Sequence, residues 1–267
     1  MENPNKKVVV ISGASSGIGL EIANLFLKEN YIVYGIGQRE LNDVEFNYER
    51  VNICNFNECE KLVDMIIEKH GKIDILVNNA GMGISGPIEF TEIEDAKKLF
   101  DVNFFGAVNL TKCVLPSMRE NKGGRIINVS SVASFVPIPF QVYYSASKSA
   151  LDTFASGLRS EVKGFNIKVV NVHPGDVKTN FTAVRKKARL EENNPYAKNC
   201  NSAISAMEKD EQNGMEPIIV AKVVLKLANK KFLRKTNVVG GKYKLMCFAL
   251  NLFSPKLKES IVRKFYF

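Results

Sequence analysis

Short apolar runs alternate with longer amphipathic stretches along most of this chain. Val8 to Ile11 is a continuous β-branched run, which is typical of a strand buried on both faces of a parallel sheet. Leu20 to Glu29 then places Ile22, Leu25 and Phe26 on one apolar helical face. Because the alternation of strand and helix continues along the chain, the pattern predicts a doubly wound parallel sheet with helices on both faces.

The same pattern, together with capping signals, predicts the later elements. Predicted strands are Tyr31 to Gly37, Val51 to Cys54, Ile73 to Val77, Arg125 to Val129, Ile167 to Val172 and Asn237 to Gly241. Predicted helices run from a cap at Asn55-x-x-Glu58 through Lys69, from a capping box at Thr91-x-x-Glu94 toward Met118, from Gln141 to Gly164 and from Pro217 to Lys230. Gly71 is the predicted end of the first of these.

Length and charge limit the class of protein. A chain of 267 residues with 45% hydrophobic content predicts one α/β domain, residues 1–267. The net charge of +9 comes from the end of the chain, since residues 222–267 hold twelve basic residues and one acidic residue. No zinc-finger spacing, basic zipper or arginine-aromatic run accompanies this charge, so nucleic acid is not an expected partner.

The cysteines and the amino end point to an intracellular protein. Five cysteines at no metal or redox spacing predict reduced thiols and no metal site. Met1 to Lys7 is polar, and no apolar signal segment stands before the first strand, so we expect a cytoplasmic location.

A glycine-rich turn follows the first strand. Glycines at positions 13, 17 and 19 allow a tight turn and a close ligand, and the helix that follows offers free N–H groups to a pyrophosphate. Gly13 to Gly17 also fits the Gly-x-Ser-x-Gly elbow of hydrolases. We reject that alternative because the elbow would follow the first strand, and because neither His70 nor His173 lies in a recognisable acid–histidine arrangement.

The end of the second predicted strand should meet the adenosine ribose. Gly37-Gln38-Arg39 lacks the carboxylate that would bind a 2′-hydroxyl, whereas Arg39 can pair with a 2′-phosphate. This favours NADP(H), with NAD(H) as the alternative if Glu40 serves the ribose through a rearranged turn.

The candidate catalytic side chains are Tyr144, Lys148, Ser131 and Asn103. Tyr144 stands four residues before Lys148, so the phenol and the ammonium share a helical face, and the charge should lower the pKa of the phenol. Ser131 stands at the carboxyl end of a strand, where open α/β sheets bind ligands. Asn103 lies inside a predicted helix, where asparagine is unfavourable, and this indicates a functional role.

The chain resembles the short-chain dehydrogenase/reductase family over residues 7 to 179, and its motifs stand in the family's order and spacing. These motifs are the Gly13/Gly17/Gly19 turn, Asn78 to Gly81, Asn103, Ser131, Tyr144-x-x-x-Lys148 and Pro174-Gly175. The resemblance implies a Rossmann-type fold and hydride transfer between a nicotinamide and a carbonyl or alcohol carbon.

The resemblance also implies a role for each site residue. Tyr144 would protonate the carbonyl oxygen, and Ser131 would donate a hydrogen bond to it. Lys148 would hold the nicotinamide ribose, and Asn103 would keep a water that links the lysine to solvent. The implied cofactor contacts are Gly13, Ser15, Ser16, Gly17, Ile18, Gly19, Arg39, Asn52, Ile53, Asn79, Ala80, Gly81, Tyr144, Lys148, Pro174, Gly175, Val177 and Thr179.

The sequence departs from the family pattern near the adenosine. Many members have an aspartate where Asn52 stands, so adenine recognition here would rely more on backbone groups. Many NADP-dependent members carry a basic residue in the glycine-rich turn, where this chain has Ser15 and Ser16.

The C-terminal part of the chain bears on the substrate. Residues 181–214 form a polar insertion where the family places a substrate lid, and residues 242–267 form an apolar and basic extension. The extension, with Leu252 to Leu257, resembles the 17β-hydroxysteroid dehydrogenase-like subgroup, which implies a hydroxysteroid or bile acid substrate.

Alternatives stay open. A lipid-ketone or retinoid reductase that contacts a membrane through the C-terminal tail is the second hypothesis, and a non-catalytic nucleotide-binding sensor or scaffold is a third. The basic tail is equally compatible with an ordinary solvated helix face. Family members commonly form homodimers or homotetramers through two long helices, here about Thr91 to Met118 and Gln141 to Gly164.

Overall fold

The computed structural model of the chain describes residues 6–251, 253–254, 256–257, 260–261 and 263. The strands are β1 (Val8–Ser12), β2 (Ile32–Gly37), β3 (Asn47–Arg50), β4 (Ile75–Asn78), β5 (Ile84–Ser85), β6 (Gly124–Val129), β7 (Ile167–Pro174), β8 (Lys186–Lys187) and β9 (Thr236–Val239). The α-helices are α1 (Gly17–Lys28), α2 (Phe56–His70), α3 (Ile93–Phe100), α4 (Gly106–Glu120), α5 (Val142–Glu161), α6 (Phe181–Val184), α7 (Ala197–Gln212), α8 (Pro217–Asn229) and α9 (Gly241–Asn251).

Seven parallel strands form the main sheet in the order β3-β2-β1-β4-β6-β7-β9. One core layer packs α2, α4 and α5 against the sheet, and a second layer packs α1 and α8 against the other face. The predicted doubly wound sheet and single domain are therefore confirmed. The strand order reverses between β1 and β4, so a crevice opens at the carboxyl ends of these strands.

Two boundary predictions are wrong. The third strand is Asn47–Arg50 rather than Val51 to Cys54, since polar residues form this edge strand while Val51 and Ile53 turn into the core after it. The capping box at Thr91 does not form. The Thr91 hydroxyl donates to the carbonyl of Pro87 at 2.8 Å, and α3 begins only at Ile93.

The predicted helix from Thr91 to Met118 is divided by a π-helical turn, Asp101–Phe105, between α3 and α4. Asn103 lies in this turn, so the residue that looked unfavourable in an α-helix occupies a place where the helix widens. Such turns are common at functional sites. The pattern also gave no signal for the two-stranded sheet of β5 and β8.

The predicted start and end of α2 are confirmed. The Asn55 side chain accepts from the amides of Asn57 and Glu58 at the start of α2, and Gly71 ends α2 with a φ of +76°.

All five cysteines are free thiols, and Cys59, Cys200 and Cys247 are buried. Within the described part of the chain, no helix combines the length and the hydropathy that a membrane crossing requires. Leu252 and Pro255, part of the predicted C-terminal turn, lie outside the described residues.

Candidate active site

The glycine-rich turn fits a dinucleotide phosphate. Gly13 has a φ of +70°, and a Cβ there would lie 2.8 Å from the Cα of Ala80. A Cβ on Gly19 would lie 2.2 Å from the carbonyl oxygen of Gly13, so Gly19 permits close packing behind the turn. In the described structure Ser16 makes no side-chain cap hydrogen bond at the start of α1. The first-turn N–H groups are thus open to an anion.

Ser12 and Asn79 join the turns that follow β1 and β4. The Ser12 hydroxyl accepts from the amides of Asn79 and Ala80 at 3.0 Å each. The Asn79 side-chain amide donates to the carbonyl of Ser12 at 3.0 Å and to that of Gly13 at 3.3 Å. Asn79 therefore shapes the floor of the cleft. Sequence reasoning missed Ser12, because its role depends on a contact between strands.

The adenosine end of the cleft contains Arg39, Gln38 and Ile53. The Asn52 amide oxygen accepts from the side chain of Gln38 at 2.8 Å and from the backbone of Cys54 at 3.1 Å. Asn52 therefore supports Gln38 rather than forming the cleft wall itself. Glu40, considered above for NAD(H), pairs with Arg50 at 3.0 Å.

Tyr144, Ser131 and Lys148 meet at the far end of the same cleft. α5 begins at Val142, so Tyr144 lies in its first turn and Lys148 one turn later. The Ser131 hydroxyl lies beside the Tyr144 phenol and lowers its pKa. The Lys148 Nζ donates to the carbonyl of Val129 at 2.9 Å and lies 5.9 Å from the centre of the Tyr144 ring. The structure thus brings these three predicted residues together.

The expected direction of the Tyr144 pKa is wrong for the protein without cofactor. Burial raises the pKa of Tyr144 to about 12, although the neighbouring Ser131 side chain opposes this shift. Burial also lowers the pKa of Lys148 to about 8, and the negative charge of Asp152 opposes that shift. The spacing argument considered the nearby ammonium but not the loss of water around both groups.

Asn103 supports the site from behind. Its amide oxygen accepts from the Met82 amide at 2.8 Å, and its amide nitrogen donates to the Met82 carbonyl and to the Ser147 hydroxyl. This joins the segment after β4 to the helix that carries Tyr144. Its predicted water-holding role stays a prediction.

As the described residues define the cleft, all predicted site residues line it except Gly19, Asn52 and Asn103.

The insertion segment, residues 181–214, contributes a wall that the sequence did not assign residue by residue. The Phe181 ring lies 5.8 Å from that of Tyr144. Glu211 on α7 lines the cleft and forms an ion pair with Arg185, whose side chain is fully buried, and it accepts from the Thr182 hydroxyl. Glu211 and Arg185 are far apart in sequence and show no local motif, so only the fold relates them.

Asp176 and α9 close another side of the cleft. The Tyr243 hydroxyl donates to the Asp176 carboxylate, and the Tyr243 ring lies where a side chain on Gly175 would be. Asp176 lines the cleft, and both Asp176 and Glu211 favour the protonated form of Tyr144 by their negative charge. The catalytic end of the cleft therefore presents two carboxylates near the phenol.

The interpretation of His173 requires correction. Its Nε2 lies 2.9 Å from the Asp152 Oδ2, so an acid–histidine pair does exist. The pair lies behind the cleft between β7 and α5, and neither residue lines the cleft as the described residues define it. A hydrolase role stays rejected because this imidazole does not reach a nucleophile in the cleft.

Comparison with known proteins places these features in a family. The sequence model described as short chain dehydrogenase matches residues 7–190. The chain is 37% identical over 227 residues to a 3-ketodihydrosphingosine reductase from Bacteroides thetaiotaomicron, covering 84% of each chain.

Two solved structures share the fold. A short-chain dehydrogenase from Streptomyces avermitilis superposes with a TM-score of 0.84 at 25% identity, covering 99% of this chain and 98% of that one. A serine dehydrogenase complexed with NADP+ superposes with a TM-score of 0.75 at 26% identity, covering 87% of this chain and 94% of that one.

Proposed function

This chain belongs to the short-chain dehydrogenase family and is an oxidoreductase, and from that premise we propose that it reduces the ketone of a long-chain lipid with NADPH. The observation that carries the proposal is the meeting of Tyr144, Ser131 and Lys148 at one end of a cleft whose other end suits a dinucleotide. When bound, NADPH supplies the hydride.

Each proposed role follows from the position of the side chain. Tyr144 gives its proton to the carbonyl oxygen of the substrate, and its raised pKa keeps it protonated and ready to do so. Ser131 donates its hydroxyl proton in a hydrogen bond to the same carbonyl oxygen as negative charge develops there. Lys148 places an ammonium beside the phenol and stabilises the phenolate that remains.

The adenosine end supports NADP(H) over NAD(H). Arg39 lines the cleft, and a guanidinium suits a 2′-phosphate. The Glu40 carboxylate, which would favour NAD(H), is engaged by Arg50 at 3.0 Å. The residues Gly13, Ser16, Asn79 and Lys148 would hold the rest of the cofactor.

The lipid part of the proposal draws on the relative and on the cleft. The relative at 37% identity is named for a sphingoid ketone. Apolar side chains at Ile138, Phe181 and Val184 line the cleft near Tyr144, which suits an alkyl chain. The hydroxysteroid or bile acid substrate stays a prediction that no finding above tests.

Helix α9 supports contact with a membrane. Tyr243, Cys247 and Leu250 face the protein, while Leu245 and Phe248 are 70% and 67% exposed. Lys242 and Lys244 are exposed on the same helix. An exposed apolar and basic face beside the cleft is suited to an anionic lipid surface, from which a lipid ketone would enter.

A substrate panel tests the proposal. Purified protein is given NADPH with a long-chain 3-keto lipid, retinal or a 17-ketosteroid in detergent, and loss of NADPH absorbance is followed. We expect turnover of the keto lipid that Tyr144→Phe abolishes. Turnover of the steroid alone would transfer the proposal to the hydroxysteroid, and absence of any turnover would contradict a catalytic function on these classes.

Vesicle flotation tests the membrane contact separately. The wild type should float with anionic vesicles, and a Leu245→Glu/Phe248→Glu variant should not. Phe232→Glu is the matched control, since Phe232 is 78% exposed but lies in the loop before β9 rather than on α9. If the wild type and both variants float equally, α9 does not support the proposed membrane contact.

A further inference from the structure

Asp152 lies directly behind the proposed catalytic residues. It follows Lys148 by four residues on α5, so the two side chains share a helical face. Its carboxylate accepts from the Asn171 side chain at 2.8 Å and bonds the His173 Nε2 through both oxygens at 3.1 and 2.9 Å. No step of the proposed reaction uses Asp152 or His173, so this buried pair requires another explanation.

His173 is held in one orientation. Its side chain is 1% exposed, and its ring stacks on Phe135 with 4.4 Å between ring centres. Because a carboxylate can only accept, the imidazole donates from Nε2 to Asp152. The other nitrogen, Nδ1, has no hydrogen-bond partner among the described residues. The imidazole thus presents its Nε2–H to Asp152 and orients the carboxylate.

The same carboxylate influences Lys148, one turn earlier on α5. The Lys148 side chain is buried, and the negative charge of Asp152 opposes the loss of its proton. The Ser130 hydroxyl donates to the carbonyl of Lys148 at 3.4 Å, and the Ser134 hydroxyl donates to the carbonyl of Ser131 at 2.8 Å. Each hydroxyl has a single proton, so the effect of Asp152 is directed at Lys148.

We infer that Asp152, oriented by His173, is a positioning residue that keeps the Lys148 ammonium charged. Two further titratable groups of α5 lie near Lys148 and Asp152. The Tyr144 ring centre is 5.9 Å from the Lys148 Nζ, and the negative charge of Asp152 acts on Arg159. The Arg159 guanidinium donates to the carbonyl of Val169 at 3.4 Å. The inference rests on the proposed role of Lys148.

The test compares two variants of equal size, Asp152→Glu and Asp152→Gln, which differ in charge. The free energy of unfolding of the cofactor-free protein is measured by denaturant titration from pH 6 to pH 10. The pKa of Lys148 is lowered from 10.5 to about 8 in the folded protein. Between these values the unfolded chain binds more protons than the folded one, so the contribution of Lys148 to stability rises with pH.

Removing the carboxylate charge should lower the folded pKa of Lys148 further. In Asp152→Gln the rise of the free energy of unfolding with pH should therefore begin about one pH unit lower than in Asp152→Glu. The alkaline limb of the kcat profile for ketone reduction should move in the same direction by a similar amount. Glu161→Gln, which removes an exposed charge from the end of α5, is the control and should leave both curves in place.

The two readouts separate the inference from the proposed function. If Asp152→Glu and Asp152→Gln show the same pH dependence of unfolding, the inference is overturned, whatever the enzyme does. A uniform loss of kcat without movement of the alkaline limb would also overturn it, since that result indicates packing alone. If the unfolding curves separate but no ketone is reduced, the electrostatic coupling stands and the proposed function fails.

Discussion

The buried ion pair between Arg185 and Glu211 gives a quantitative prediction about the insertion segment. Arg185 ends α6 and its side chain is fully buried, while Glu211 lies near the end of α7 and is 16% exposed. Replacing Arg185 with Met removes the cation and leaves a partly buried carboxylate facing the cleft. Beyond this pair, α7 is held by a small apolar cluster around Cys200, Ile204 and Met207.

The magnitude follows from burial. Breaking a buried pair costs about 3 to 5 kcal/mol, since the remaining charge loses its partner without regaining water. α7 therefore opens more readily, and its backbone amides should exchange with solvent about a hundredfold to several thousandfold faster. A second pair connects the same region at the surface, where Lys187 contacts Glu208 at 2.6 Å with side chains 49% and 24% exposed. Lys187→Met should cost about 1 kcal/mol or less.

Hydrogen exchange measured by mass spectrometry distinguishes these cases. Arg185→Met should accelerate exchange in the 197–212 peptides and leave the β1 and β4 peptides unchanged, whereas Lys187→Met should change neither set by as much as tenfold. The double variant Arg185→Met/Glu211→Leu should recover most of the protection, because no charge is then left unpaired. Equal acceleration by the two single variants would refute the argument from burial.

Three further predictions concern the cleft. Tyr144→Phe should lower kcat by about 10² to 10⁴ without weakening NADPH binding measured by fluorescence, whereas Tyr143→Phe should keep most of the activity; similar losses in both variants would contradict the assignment of the acid. Arg39→Ala should raise the Kd for NADPH by about tenfold and leave that for NADH unchanged, since one charge-assisted pair to the 2′-phosphate is lost; an equal effect on both would exclude this contact. Gly19→Ala should prevent cofactor binding or folding, since the new Cβ would lie 2.2 Å from the Gly13 carbonyl oxygen; normal NADPH binding and thermal stability would show that the turn can move.

Local patterns in the sequence were sufficient for the features that arise within a few residues. The glycine turn, the Asn55 cap and the pairing of Tyr144 with Lys148 depend on spacing along one strand, turn or helix, and each is found where the spacing predicts. Thr91 shows the limit of such signals. Its hydroxyl had a competing acceptor, the Pro87 carbonyl, which the capping pattern does not consider.

Features that depend on packing between distant segments were not predictable in this way. Glu211 meets Arg185 only because α7 folds back over the cleft. His173 meets Asp152 because β7 lies against α5. The one local signal for that pair is the position of Asp152, four residues after Lys148 on the same helix. The raised pKa of Tyr144 has the same origin, since burial is a property of the assembled cleft and not of the spacing between a tyrosine and a lysine.

The buried thiols supply the protein with its own chemical reporters. Cys200 lies on the buried face of α7 and Cys247 on the buried face of α9, and burial raises the pKa of both. An alkylating reagent at neutral pH therefore reaches either thiol only when its helix moves away. Pulsed labelling read by mass would count openings of the insertion segment at Cys200 and displacement of α9 at Cys247, without introducing a foreign dye. Under a single set of conditions, the two thiols would therefore show whether substrate and lipid displace the same helix or different helices.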